Sequence, residues 1–261
     1  MKFGMPTLIE TPNIKECAKI CRKLGLQFVE LNMNLPEYQP GAIDVPYFQA
    51  VAEEYGIFYT IHLDENLNVS DFNPHVAEAY LRTVFETIEI AQKLRVPMLN
   101  MHLSAGVYFT LPEQKVSLFD VYRELYLASM HRFRERIETA VGDTAVKLCI
   151  ENCGGYTAVQ REAIALLLES SVFGLTFDIG HNACAKVADE PFILEHLDRL
   201  FHMHLHDARP LEKKDHLALS TGDLDLGYYL ELAKDRNCSA VLETKTVAGL
   251  EHSVRWMAAY S

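Results

Sequence analysis

The sequence predicts a (β/α)8 barrel, and three observations carry the prediction. Eight short β-rich runs alternate with longer stretches of helical periodicity from one end of the chain to the other. The length, 261 residues, is what such a barrel needs. No Pro/Gly/Ser linker or charge block divides the chain, so one domain over residues 1–261 is expected. A doubly wound open sheet is the rival, but it commonly has fewer strands and a glycine-rich first turn. The first turn here, "TLIETPN", has no glycine.

The first strand is read in "KFGMPTL", followed by the helix "NIKECAKICRKLG", which opens on Asn and closes on Gly as helix boundaries should. Its Cys17 and Cys21 lie one helical turn apart and read as packing residues, since free cysteine behaves as a small hydrophobe. The six cysteines show no CxxC spacing, so reduced thiols are expected. "FVELNM" and "VPYFQAVAEEYG" make the second unit, "FYTIHL" and "VAEAYLRTVFETIEIAQKL" the third, "PMLNMHL" and "YRELYLASMHRFRERIETAVG" the fourth. "VKLCIEN" with "REAIALLLES", "FGLTFDI" with "PFILEHLDRL", "LFHMHLHD" with "GYYLELAKDR", and "AVLETK" with "LEHSVRWMAAY" complete the eight.

In this architecture catalytic groups sit at the C-terminal strand ends and in the loops that follow. The third strand ends on His62, the fourth on His102, the fifth on Glu151 and the sixth on Asp178, with His181 three residues later. The seventh carries His204 and the eighth Glu243, so six successive strands end in a potential metal ligand. A barrel gathers these groups around one axis, where clustered carboxylates repel one another unless a cation neutralises them. A divalent metal site is therefore expected. "RLFHMHLHD" places His202, His204 and His206 on one face of a strand, and spacing alone does not choose among them. His75, His131, His196 and His252 fall in or beside helices and receive no role, and Glu30 at the end of the second strand reads as a salt bridge to a neighbouring loop. Tyr38, Phe72, Tyr108 and Phe109 in the loops either stack on a ligand or pack against the barrel, and Trp256 is expected in the core.

The formal charge of −12 disfavours nucleic acid as a partner, a local basic groove notwithstanding. No apolar run approaches the roughly 18 residues of a membrane span, and the N-terminus lacks the apolar core of a signal peptide, so a cytoplasmic protein without membrane association is expected.

The segments "TIHL", "LNMHLSAG", "CIENCGG", "TFDIGH", "HLHD" and "VLETK" stand in the order and spacing of the xylose-isomerase-like barrel superfamily, which the chain resembles over essentially its whole length. That superfamily contains endonuclease IV and many sugar epimerases and isomerases. The resemblance implies a metal site of Glu151, Asp178, His204 and Glu243, with His202 deeper in the barrel and His206 nearer the mouth, behind the ligands or on the substrate. Likeness to endonuclease IV would add His62 and His102 with Glu151 around a second ion and His181 with His216 around a third. "KKDHLALSTGD" departs from it: Lys214 stands where an aspartate ligand should be, so the third site is expected to fail unless a loop shift brings Asp215 in.

Two activities follow from the resemblance. In a sugar or sugar-phosphate isomerase or epimerase, an ion such as Mn²⁺, Mg²⁺, Co²⁺ or Zn²⁺ polarises a carbonyl and stabilises an enediolate. Glu151 and Glu243 would be the acid/base pair; His181, His206 and His216 would meet the sugar; Arg209 or the pair Lys213 and Lys214 would meet any phosphate. In the alternative, an abasic-site phosphodiesterase, two or three ions activate water. The loop "LDENLNVSDFNP", with Asp64, Glu65 and Asp71, opposes that reading because a DNA groove should be basic. A polyol dehydratase or a metal-containing binding protein stands further off. Self-association, frequent in barrels of this type, is compatible with either activity.

Overall fold

In chain order the elements are β1 (Lys2–Pro6), α1 (Ile14–Lys23), β2 (Phe28–Asn32), α2 (Val45–Tyr55), β3 (Phe58–His62), α3 (Pro74–Leu94) and β4 (Met98–His102). There follow β5 (Tyr108–Thr110), β6 (Lys115–Ser117), α4 (Leu118–Val121), α5 (Arg123–Val141), β7 (Lys147–Glu151), α6 (Ala158–Leu168) and β8 (Phe173–Asp178). Then come α7 (Ile179–Cys184), α8 (Glu190–Glu195), β9 (Leu200–Leu205), β10 (Asp207–Arg209), β11 (Lys214–Leu217), α9 (Leu226–Asp235), β12 (Ser239–Leu242) and α10 (Val247–Tyr260). The computed structural model describes residues 1–260; Ser261, the last residue of the expected domain, lies outside the described residues.

Each of the eight β-rich runs forms a strand, and the eight close into a parallel barrel in the order β1, β2, β3, β4, β7, β8, β9, β12. Closure is made where β12 returns to β1, with Phe3 opposite Ala240. Helices cover the outside through apolar stripes. In α1 the buried residues are Ile14, Cys17, Ala18 and Cys21, one face of a 3.6-residue period, and Asn13 caps the helix by accepting from the Glu16 amide at 3.0 Å. Cys17 and Cys21 are thus packing residues, and burial pushes both thiols up to about 12. The buried Phe28 ring packs over Gly4, which leaves it room: a Cβ there would come within 2.4 Å of it.

The differences from the sequence reading lie in the loops. Two antiparallel hairpins, β5–β6 and β10–β11, stand outside the barrel. The run read through Asp207 stops at Leu205, because the Asp207 carboxylate accepts from the Ala208, Gly222 and Leu224 amides and turns the chain into the second hairpin. The helix read over 191–200 ends at Glu195, where His196 Nδ1 takes the Phe192 carbonyl that would accept the next helical amide. Six-residue α7 was too short for periodicity to reveal. Trp256 is half-buried at the rim of the core rather than inside it. Tyr38 is buried against the barrel, while Phe72, Tyr108 and Phe109 are exposed, Phe72 resting edge-on against Phe119 and Tyr122. Among the described residues no helix is long and apolar enough to cross a membrane.

Candidate metal centre

Strands β7, β8 and β9 and the residue after β12, four neighbours around the barrel, each deliver one side chain to a common point: Glu151, Asp178, His204 and Glu243. One ligand atom from each lies within 4.8 Å of the others. His204 Nδ1 stands 3.0 Å from Glu243 Oε2, 3.2 Å from Glu151 Oε1 and 3.8 Å from Asp178 Oδ2. All four residues are buried. Glu243 Oε2 finds no hydrogen-bond partner among the described residues although it faces that point. Three carboxylates, one with an orphaned buried oxygen, converging on one imidazole nitrogen is the donor set of a divalent cation of hard or borderline character, so the residues fit the metal the sequence implies.

The electrostatics agree. Burial pushes the Glu151 carboxyl up, but the His204 and His102 imidazoles hold it well below the usual carboxylate range. Burial likewise opposes ionisation of Glu243, and His204, His216 and Lys245 hold it well below that range. His204, which burial alone would keep neutral, is held well above the usual imidazole value by Glu151, Glu30 and Glu243.

The ligands are braced. Asn152 pairs with the backbone of Asp178 through two bonds, at 2.8 and 2.9 Å, locking the ends of β7 and β8 together. Asp178 Oδ1 accepts from the His181 amide at 2.6 Å, so the same carboxylate caps α7. His206 Nε2 donates to Asp178 at 3.0 Å, and its Nδ1 accepts from the His216 amide at 2.8 Å. Both nitrogens are occupied and the ring is fully buried, which puts His206 behind Asp178 rather than on a substrate. Gly180 makes the room: a Cβ there would lie 1.9 Å from the His206 ring.

A second cluster adjoins the first. His62 Nε2 and His102 Nε2 each stand 3.3 Å from Glu151 Oε2, and the Asn100 amide donates to the same oxygen. His62 Nδ1 sits 2.7 Å from the Leu63 carbonyl, which fixes the proton on Nδ1 and leaves Nε2 its lone pair. On the mouth side, His181, His206 and His216 form a third group. Lys214 turns outward to Glu212 at 2.6 Å, and Asp215 comes within 4.0 Å of His181 Nε2 and 2.8 Å of His216 Nδ1, the placement on which the third site was conditional. Lys213 and His216, on either side of the pair, have left-handed backbone. His216 Nε2 also reaches Glu243 Oε1 at 3.3 Å.

Arg209 is exposed, and its guanidinium donates to the Thr221 carbonyl at 2.8 Å. Asp71 is tied within its own loop, accepting from the Asn73 amide. Glu30 makes no loop salt bridge; it is buried in the barrel beneath His204. Sequence reading also gave no role to Lys245, whose ammonium lies 2.9 Å from Glu243 Oε1. Its position two residues past a strand-end glutamate was the available signal.

The family model described as xylose isomerase-like TIM barrel matches residues 18–260. Among solved structures, a D-tagatose 3-epimerase-like protein superimposes with a TM-score of 0.81 at 20% identity, covering 100% of this chain and 97% of that one. The 3-keto-D-glucoside 4-epimerase YcjR from E. coli gives 0.77 at 16% identity, with 99% of each chain covered. IolI protein with a bound zinc atom gives 0.76 at 15% identity, covering 100% of this chain and 97% of that one.

Proposed function

This chain belongs to the xylose isomerase-like TIM barrel family, and from that premise we propose that it is a divalent-metal-dependent sugar isomerase or epimerase acting by proton transfer through an enediolate. The convergence of Glu151, Asp178, His204 and Glu243 on one buried point carries the reading. A divalent ion held by these four would polarise a substrate carbonyl and offset the charge of an enediolate. Glu151 and Glu243 stand at the two ends of the ligand row, with Asp178 and His204 between them in barrel order. From those flanks one carboxylate takes the proton next to the carbonyl and the other returns a proton on the opposite face or the adjacent carbon. Lys245 and His216 hold one oxygen of Glu243, which keeps the carboxylate oriented with its other oxygen toward the site. His181, partly exposed and 3.7 Å from Glu151 Oε1, would hydrogen-bond a substrate hydroxyl. The epimerases among the structural neighbours support a carbohydrate substrate. Three carboxylates suit Mn²⁺, Mg²⁺ or Co²⁺, and the zinc of the IolI neighbour keeps Zn²⁺ among the candidates.

Metal analysis of protein purified without chelators, followed by a screen of ketoses and ketose phosphates, tests the reading. One or more ions per chain and interconversion of at least one sugar are expected. A metal-free protein that regains no activity on reloading would defeat it. The His62, His102 and Glu151 cluster and the inward placement of Asp215 favour a second reading, an abasic-site phosphodiesterase. The charge of −12 weighs against it. Two or more ions per chain together with a steep salt dependence of DNA binding would turn the preference around.

A further inference from the structure

Below the ligand row lies a buried polar chain that the proton-transfer scheme does not use. Glu30 on β2 presents Oε1 to His204 Nε2 at 2.9 Å, while its Oε2 accepts from the Thr60 hydroxyl at 2.9 Å and meets His202 Nε2 at 3.1 Å. His202 is anchored in turn through Nδ1, 2.6 Å from the Ser239 hydroxyl. Glu30, Thr60, His202 and His204 are all within 2% of complete burial. Such a chain across β2, β3, β9 and β12 needs a purpose, because a buried carboxylate is costly unless its partners require it.

His204 states the requirement. Its Nδ1 faces the three carboxylates, so a metal ligand there needs the lone pair on Nδ1 and the proton on Nε2. Nε2 has no aligned hydrogen bond among the described residues, yet Glu30 Oε1 lies 2.9 Å from it. We propose that Glu30 is a positioning residue: held by Thr60 and His202, it fixes the His204 ring with Nε2–H toward the barrel floor and Nδ1 toward the cation. The inference rests on the metal site assigned above. Glu30 never touches substrate; its effect reaches the chemistry through His204 alone.

The test measures Co²⁺ affinity by competition with a coloured chelator on the metal-stripped full chain, with the visible Co²⁺ spectrum as a second readout. Wild type is expected to bind Co²⁺, and Glu30→Gln to bind it on the order of 10–100-fold more weakly with a shifted spectrum, as for other groups that orient a ligating histidine. Thr60→Val, nearly isosteric, removes the hydroxyl that holds Glu30 and is expected to weaken binding several-fold; it decides the matter should Glu30→Gln fail to fold. Affinity within twofold of wild type in the folded variant overturns the proposal. So does the loss of one whole Co²⁺ equivalent at unchanged affinity for the remainder, which would make Glu30 a ligand of a deeper ion. Failure of wild type itself to bind Co²⁺ would instead sink the metal site.

Discussion

Replacing Glu243 with glutamine separates proton transfer from metal binding. Glutamine keeps the shape and an oxygen that Lys245, now 2.9 Å from Oε1, can still meet. What disappears is the charge on Oε2, the oxygen that faces His204 Nδ1 at 3.0 Å without a hydrogen bond. A positioned base is worth about 10²- to 10⁴-fold in rate, or about 2.7 to 5.4 kcal/mol at 1.36 kcal/mol per decade. Isomerisation by Glu243→Gln should fall by that factor, while Glu151, Asp178 and His204 still hold an ion. The two flanking carboxylates give the experiment a sharper edge. In D₂O, Glu151 can still remove a substrate proton and return deuterium to the same face, so NMR should show solvent exchange in the variant after net conversion has stopped. Glu151→Gln/Glu243→Gln should show neither. Metal-loaded Glu243→Gln converting sugar within about threefold of wild type would refute the two-carboxylate scheme.

Gly180→Ala should destabilise the protein by about 1 to 3 kcal/mol, read from the urea midpoint, because the new methyl meets the His206 ring that braces Asp178. The same variant should bind metal more weakly; an unchanged midpoint would show that α7 shifts freely. Cys17 and Cys21, buried and with thiols pushed up to about 12, should resist alkylation at pH 8 while exposed Cys153 reacts, as peptide mass mapping will show. Burial opposes ionisation of Glu30, but His204 and His202 hold its carboxyl below the usual range. A depressed carboxylate contributes stability that is fully present above its unfolded value, about 4.3, and is lost as pH falls toward the folded value. The stability gap between metal-free wild type and Glu30→Gln should therefore narrow on going from pH 7 to acid; a gap that widens would contradict the pairing.

Much of the barrel was legible because its signals are local. Period-two runs such as "FYTIHL" and capped helices such as Ile14–Lys23 need only their neighbours in sequence to declare themselves. The hairpin from Asp207 to Leu217 was not legible, since Asp207 ends β9 by binding amides 15 and 17 residues away, at Gly222 and Leu224. The same holds for Lys214 and Asp215: left-handed residues at 213 and 216 flank them, Asp215 meets His181 and His216 while Lys214 meets Glu212, and spacing carries no trace of that.

By itself the sequence determined that strand ends would carry carboxylates and imidazoles, because hydrophobic alternation and end position are properties of a single run. Tertiary structure alone decided what those groups do to one another. Glu30 ends up under His204 although 174 positions separate them, His206 is consumed in bracing Asp178, and Lys245 leans on Glu243. The reason is geometric: a barrel's register and loop turns set which nitrogen meets which oxygen to within an ångström, and interactions that fall off over that distance cannot be read from residue type.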